Sequence, residues 1–299
     1  MTQFAGVTRK TIGSMAIAMC ALLLAGPAEA QSPTAPAATQ TPPPDPNPGS
    51  ITFTGNLDVL PGTPYIFRGI VQESDPKITL WPSGDLGIAV FSGTGGLKSA
   101  SINFGVWNSL HTGSSGLDND YVNNKLHYEE DFYAALGLGF SKATFTTTYT
   151  AYTSPNGLFN TVQEIAFKVG VSHKIAPYFV LAQELGEFGA DGGSNKGTYI
   201  ELGVGPSWPL AGGKATIAIP IKLGLSANNY YELDGVDNKF GFFDIGALLT
   251  VPITGIPASY GAWNFHVGGD AFAFGETTKA INGGKSSKGV FLFGFGVGY

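Results

Sequence analysis

The sequence has very little cysteine and little charge, and beyond its N-terminus it lacks long apolar runs. A single cysteine, Cys20, stands among 299 residues, and Asp, Glu, Lys and Arg together make up 13%. One cysteine excludes an internal disulfide framework and a thiolate metal site. A soluble domain usually carries about 25% charged residues, so the sequence predicts a large surface that does not face water.

The N-terminus has the pattern of a secretory signal peptide. A positively charged pair, Arg9 and Lys10, precedes an apolar stretch and an Ala-x-Ala cleavage site at residues 28–30. The apolar stretch is shorter than the roughly 20 residues that a spanning helix needs. We therefore expect residues 1–30 to be a signal peptide, and residues 31–50, which are rich in Pro, Ala and Thr, to be a periplasmic linker.

The charge balance of the remaining chain is acidic. Cleavage after Ala30 would remove Arg9, Lys10 and Glu29 from totals of 16 basic and 22 acidic residues, which leaves 14 and 21, a net charge of −7. Binding to nucleic acid requires a basic footprint. No nucleic-acid partner is therefore expected.

From Ile51 onward, apolar and small polar residues alternate with a period of two. In residues 143–151 the odd positions are Ala, Phe, Thr, Tyr and Ala, whereas the even positions are all Thr. Alternate residues of a strand lie on opposite faces. The polar face consists of Gly, Ser, Thr and isolated charges, whereas the outer face of a soluble sandwich is usually well charged. This pattern is typical of barrel strands with lipid outside and a wet interior.

The connections between the strands give a second indication. Short predicted connections, such as 93–96, alternate with long ones, such as 112–125 and 276–287. Outer-membrane barrels have short periplasmic turns and long external loops. The sequence thus predicts an all-β fold, a transmembrane antiparallel up-and-down β-barrel of about 12 strands over residues 51–299, in the bacterial outer membrane. The predicted strands are 51–71, 78–91, 97–110, 126–140, 142–152, 161–173, 175–188, 198–210, 214–226, 239–253, 259–275 and 288–299.

The last predicted strand ends on an aromatic residue, Tyr299, and its alternate positions carry Phe291, Phe293 and Phe295. This ending resembles that of outer-membrane proteins. The resemblance implies recognition by the barrel-assembly machinery. The other expected partners are outer-membrane lipid, lipopolysaccharide and small solutes.

Three short motifs occur in a fixed order in the first half of the barrel. They are YIFRG at residues 65–69, GVWNS at residues 105–109 and EDFY at residues 130–133. Together they resemble the TorF-type family of outer-membrane porins over residues 57–139. The resemblance implies a porin-like barrel and no particular solute. The Pro-rich lead-in and the long last loops depart from the family's pattern.

Alternation places several charged side chains on the inner face. Arg68 is predicted to point inward because Tyr65 and Phe67 are assigned to the lipid face, and it acts either as a selectivity residue or as a partner in a structural ion pair. Acids outnumber bases at the inward positions, so a weak cation preference is expected unless the acids pair locally. His266 is expected in the lumen near Asp270. The pore-lining candidates are Arg68, Glu129, Asp131, Glu164, Lys168, Glu201, Lys222, Asp244 and Asp270.

The sequence predicts no catalytic residue, cofactor or metal site. No pair among the four histidines has metal-ligand spacing, and no Gly-x-Ser-x-Gly elbow is present. Ser109 and His111 are placed too loosely to be assigned as nucleophile and base. The chain is therefore expected not to be an enzyme.

Three functions remain open at this point. Because barrel diameter grows with strand number, about twelve strands predict a narrow channel for passive diffusion of small solutes or ions. One alternative is a closed barrel that acts as a surface adhesin or structural anchor through its external loops. Another is a transporter of small hydrophobic molecules, which needs a gap in the wall; Pro220 removes a ladder donor from one strand. The bulky inward residues that favour the closed barrel are Phe91, Trp107, Phe272 and Phe274.

Overall fold

A computed structural model describes residues 48–116, 126–190 and 195–299. The predicted signal peptide and residues 31–47 of the predicted linker lie outside this part of the chain. The described residues form twelve antiparallel strands in a closed ring. These are β1 (Ile51–Pro61), β2 (Ile78–Ser92), β3 (Leu97–His111), β4 (His127–Phe140), β5 (Ala143–Thr153), β6 (Val162–Val171), β7 (Tyr178–Glu184), β8 (Thr198–Val204 and Ser207–Leu210), β9 (Ala215–Ala218 and Ile221–Asn228), β10 (Phe240–Pro252), β11 (Ala262–Phe274) and β12 (Ser287–Gly298).

The ring closes because β1 pairs with both β2 and β12. Every other strand pairs with its two neighbours in sequence, which is the up-and-down topology. Full closure leaves none of the twelve described ring strands with a free edge. The predicted fold is therefore confirmed.

Connections at the two ends of the barrel differ in character. One end, here the short-turn end, carries the turns 93–96, 141–142, 172–177, 211–214 and 253–261. The other, the long-loop end, carries the remaining connections, among them the six-residue helix α1 (Glu276–Ile281). Within the described part of the chain, no helix is long and apolar enough to cross a membrane.

Strand β5 shows how alternation separates the two faces of the wall. Phe145 and Tyr149 are 44% and 41% exposed on the outside, whereas Thr146 and Thr150 are buried inside the ring. The outer face continues this pattern around the barrel with exposed Phe, Leu, Ile and Val side chains. Aromatic side chains crowd the outer rim of the short-turn end, where an outer-membrane barrel has an interfacial girdle. They are Phe91, Phe140, Phe145, Trp208, Tyr260 and Tyr299.

Prolines interrupt β8 and β9 at the same level of the wall. Pro206 and Pro220 lie between the two segments of their strands, where a proline cannot donate to the ladder. The neighbouring backbone still pairs, because the Ile219 N–H donates to the Pro206 carbonyl at 3.0 Å and the Gly246 N–H to the Pro220 carbonyl at 2.8 Å. Pro220 therefore shortens the ladder at this level, and its carbonyl still joins β9 to β10.

The first strand is shorter than predicted, and this difference positions the candidate site. Strand β1 ends at Pro61 rather than continuing to residue 71. Gly62 follows with a φ of 68°, a left-handed conformation that ends the extended run. Residues 62–77, here called the inner loop, turn from the rim into the lumen.

Candidate functional site

The inner loop fills the lumen at the long-loop end. Tyr65 and Phe67 are 0% and 6% exposed, so the prediction that they face lipid is wrong. Their alternation suited a strand, but Pro61 and Gly62 end the strand before them. The side chains that were expected to contact lipid instead form part of a buried core inside the barrel.

The tip of the inner loop is a small hairpin, here called the inner hairpin (residues 66–71). Ile66 pairs with Val71 and Phe67 with Ile70. The two central residues, Arg68 and Gly69, have φ values of 44° and 82°, as a type I′ turn requires. The hairpin thereby projects one long cationic side chain from its tip.

Arg68 reaches a group of residues here called the Arg68 socket (Tyr152, Glu164, Tyr199 and Tyr230), in which the Tyr152 hydroxyl donates to Oε1 of Glu164 at 3.3 Å. Its Nη1 and Nη2 atoms donate to Oε2 and Oε1 of Glu164 at 2.6 and 2.8 Å, and Nη1 also donates to the Tyr230 hydroxyl at 2.8 Å. Its Cζ lies 4.1 Å from the centre of the Tyr199 ring. Because Arg68 follows β1 and Glu164 belongs to β6, the ion pair crosses the lumen.

The backbone of the inner hairpin is held by side chains from other long loops. The Tyr231 hydroxyl donates to the Arg68 carbonyl at 3.0 Å. The Asn282 side-chain amide donates to the Gly69 carbonyl at 2.8 Å and accepts from the Val71 N–H at 2.9 Å. These contacts satisfy backbone groups that would otherwise be buried without partners.

Aromatic rings surround Tyr65 at the base of the inner loop. Its ring centre lies 5.4 Å from that of Trp81 and 5.3 Å from that of Trp107. Phe272 and Phe274 are also buried, as the closed-barrel alternative requires, whereas Phe91 is 42% exposed. The inward assignment of Phe91 is wrong because a bulge between Ala89 and Phe91 shifts its parity.

A buried polar network joins the inner loop to β2 and β3. Glu73 accepts from the Tyr65 N–H at 2.8 Å and the Thr79 hydroxyl at 2.6 Å. His111 Nδ1 lies 3.7 Å from the Glu73 carboxylate, and His111 Nε2 lies 2.7 Å from Ser109 Oγ. Ser109 and His111 therefore meet more closely than the sequence suggested, because residues two apart on a strand share a face.

The Ser109 hydroxyl is enclosed and already contacts two partners. Its exposure is 0%, and the Trp81 indole N–H donates to the same oxygen at 3.0 Å. These contacts tie β2 to β3 beneath the inner loop. Among the described residues, no group of three His, Cys, Asp or Glu side chains is arranged to hold a metal ion.

Glu73 gives the inner loop a predicted pH dependence. Burial raises the pKa of Glu73 from 4.5 to about 7, against the opposing effect of its hydrogen bonds from Thr79 and Tyr65. Between pH 4.5 and about pH 7 the carboxyl of Glu73 is therefore protonated in the folded state but ionised in the unfolded chain. The contribution of Glu73 to the free energy of unfolding accordingly falls as the pH rises through this range. We expect the thermal unfolding midpoint of wild type to fall more between pH 5 and pH 8 than that of Glu73→Gln. Parallel pH profiles would contradict this.

The other predicted pore-lining residues lie at several levels of the lumen, and all except Lys168 are buried. Glu129 accepts from the Tyr65 hydroxyl at 3.4 Å, with Asp131 two residues further along the same face of β4. Lys222 and Asp244 form an ion pair at 3.1 Å. Asp270 is buried one strand away on β11.

Glu201 and Lys168 each contact a tyrosine near the middle of the barrel. Glu201 accepts from the Tyr178 and Tyr199 hydroxyls at 2.8 and 2.6 Å. The Lys168 ammonium lies 4.8 Å from the centre of the Tyr178 ring. Toward the short-turn end the inner wall consists of half-buried small polar residues, such as Thr54, Ser101 and Thr144. The lumen thus has an aromatic half with the inner loop and a small-residue half without it.

A contact that the sequence did not reveal spans the seam where the ring closes. His266 Nε2 of β11 lies 2.5 Å from Asp58 Oδ1 of β1, and His266 Nδ1 lies 3.1 Å from Asn264 Oδ1. Gly294 of β12 stands in register with both Asp58 and His266. The expected neighbour of His266 was Asp270, but the glycine lets His266 reach across β12 to Asp58 instead. The signal that could have predicted this contact is Gly294, whose register partners on both neighbouring strands, Asp58 and His266, are polar.

These features define the class of protein. A closed antiparallel ring with an apolar outer face and a polar, partly packed interior is a transmembrane β-barrel of the bacterial outer membrane. No protein-family model matches the chain, and no curated protein matches it.

Several solved outer-membrane barrels are similar to the chain. The NanC porin is 11% identical with a TM-score of 0.41, over 83% of this chain and 98% of that one. An outer membrane channel from Pseudomonas putida F1 is 13% identical with a TM-score of 0.48, over 87% of this chain and 99% of that one. The translocator domain of the autotransporter NalP from Neisseria meningitidis is 15% identical with a TM-score of 0.36, over 86% and 90%.

Proposed function

We propose that the protein is a porin-like channel for passive diffusion of small solutes or ions, and that the inner loop closes its lumen in this structure. The observation that carries the proposal is the division of the lumen into two halves. One half is filled by the inner loop and its aromatic neighbours, and the other is lined largely by Thr, Ser and Gly, with no such segment among the described residues. Withdrawal of one loop would join the polar half to the long-loop end.

The way in which the inner loop is held favours such a movement. The inner hairpin pairs with itself and not with a barrel strand. Its contacts with the rest of the barrel are the Arg68 ion pair, aromatic packing and side-chain hydrogen bonds from other long loops. Further along the inner loop, Glu73 and Asp75 pair with Ser115 and Ser114 of the loop after β3. Withdrawal would therefore break this short ladder between two loops but leave the ladders of the ring intact.

The resemblance to the TorF-type family supports the same proposal. The first motif supplies Tyr65 and the first half of the inner hairpin, the second supplies Trp107, whose ring packs against that of Tyr65, and the third supplies Asp131 in register with Trp107 on the neighbouring strand. The first two motifs thus meet inside the lumen, and the third lies beside the second on the wall. We propose on this ground that the chain belongs to that family and that the motifs encode the closure of the lumen.

The proposal is tested by single-channel recording in a planar bilayer. Protein purified from membranes should show long closed periods interrupted by openings of constant conductance. Solute uptake into proteoliposomes should fall off sharply with solute size. Electrical silence from protein that migrates as a folded, heat-modifiable barrel would contradict the proposal.

A weak cation preference is part of the proposal. Of the nine predicted pore-lining residues, six are acids and three are bases, and Arg68 and Lys222 each form an ion pair with one of the acids. A lumen with an excess of acidic side chains favours cations. We expect the reversal potential in a KCl gradient to indicate cation preference, and the double variant Glu129→Gln, Asp131→Asn to lose it. Glu187→Gln, at an exposed loop position, is the matched control and should change nothing.

A second candidate is a closed barrel that acts as a surface anchor or adhesin through its long loops. The buried aromatic packing around Tyr65, together with Phe272 and Phe274, favours it. On this reading the inner loop never leaves the lumen. Permanent silence of the folded protein, combined with surface binding that is lost when a long loop is replaced, would support this candidate over the channel.

A further inference from the structure

The Arg68 socket has the composition of a guanidinium-binding site whose occupant is the protein's own arginine. Glu164 presents both carboxylate oxygens to the two terminal nitrogens of Arg68. The Tyr230 hydroxyl accepts a third N–H, and the Tyr199 ring lies under the guanidinium plane. Each contact comes from a barrel strand or a long loop outside the inner loop, so the socket persists when the inner hairpin leaves.

The geometry is specific for a planar, forked cation. Two parallel N–H···O bonds to one carboxylate match the guanidinium group, whereas an ammonium group offers a point charge and no fork. The stacked ring adds a cation–π contact that favours the delocalised cation. A sodium ion or a quaternary ammonium ion satisfies only part of this set.

The socket also requires an occupant. Glu164 is 1% exposed, and a carboxylate buried this deeply without a cation is strongly disfavoured. A second guanidinium group can therefore satisfy Glu164 in place of the tethered one.

We propose that the Arg68 socket binds solutes that carry a guanidinium group, which replace Arg68 on Glu164 and so release the inner loop. This assignment of a solute class rests on the proposed channel function. The socket itself, however, can be tested without any current. The test therefore separates the binding site from the channel.

The first experiment measures rescue of Arg68→Ala by free guanidinium in protein made from the full chain. Low millimolar guanidinium chloride, at about ten times its dissociation constant, should raise the unfolding midpoint of this variant by about 3 °C. The same concentration of tetramethylammonium chloride or NaCl should not. The double variant Arg68→Ala, Glu164→Gln is the matched control and should not respond, nor should wild type be stabilised. If Arg68→Ala does not fold alone, the rescue is measured as the yield of heat-modifiable barrel with and without guanidinium.

Absence of rescue in Arg68→Ala, or equal rescue in the double variant, would overturn the proposal. The second experiment adds methylguanidinium to wild-type channels in a bilayer, where it should increase the frequency of opening while tetramethylammonium does not. Rescue without any current would retain the socket and overturn the channel. Current that methylguanidinium leaves unchanged, in a protein without rescue, would retain the channel and overturn the socket.

Discussion

Removal of the inner loop should convert a mostly closed barrel into a persistently open one. Pro61 and Ile78 are paired neighbours, and the Gly62 N–H donates to the Lys77 carbonyl. Residues 63–76 can therefore be replaced by Asn-Gly, the preferred two-residue hairpin connection, without moving β1 or β2. Breaking a buried ion pair costs about 3–5 kcal/mol. If the pair of Arg68 and Glu164 favours the closed lumen over the open lumen by about 3 kcal/mol, the open state is populated roughly 100-fold less than the closed state.

We accordingly expect the open probability in a planar bilayer to rise on the order of 100-fold from its closed-state value, with the cation preference unchanged. Replacement of residues 254–257 by Asn-Gly, at the short-turn end, is the matched control and should leave the open probability as in wild type. A folded variant without residues 63–76 that stays silent would show that the remaining aromatic side chains, rather than the inner loop, close the lumen. That result would favour the anchor.

The ring itself could be predicted because the signals for it are local. Alternation in residues 143–151 and short turns such as 141–142 depend only on neighbours in sequence. Each strand therefore carries its own evidence, and small errors at strand ends did not accumulate. The errors arose where one residue shifts parity, as the bulge before Phe91 does.

The inner loop could not be predicted because its contacts are not local. Arg68 and Glu164 are 96 residues apart, and nothing near either residue identifies the other as its partner. The alternation of Tyr65 and Phe67 satisfies a strand and an inward hairpin equally well. The signal that separates them is the pair Pro61 and Gly62, which ends the ladder before the motif begins.

The second large effect concerns closure of the ring, where Gly294 lies between Asp58 and His266. A Cβ atom at Gly294 would lie 2.4 Å from Asp58 Oδ1, 2.5 Å from His266 Nε2 and 2.5 Å from the Leu57 carbonyl oxygen. The first two contacts involve side chains, but the third involves backbone on the partner strand of β12. A substitution must therefore separate Asp58 from His266 and also displace the β1–β12 ladder.

We expect Gly294→Ala to lower the free energy of unfolding by about 1–3 kcal/mol, as overpacking of a close-packed site does, and Gly294→Val to prevent accumulation of the folded barrel. Gly289→Val is the matched control on the same strand, because a Cβ there meets only the Asp270 carbonyl at 3.9 Å. Heat-modifiable migration gives the folded fraction and urea unfolding in detergent gives the free energy. If Gly294→Val folds as well as Gly289→Val, then the contact between Asp58 and His266 is not what seals β1 against β12. Closure would then depend on the backbone ladder alone.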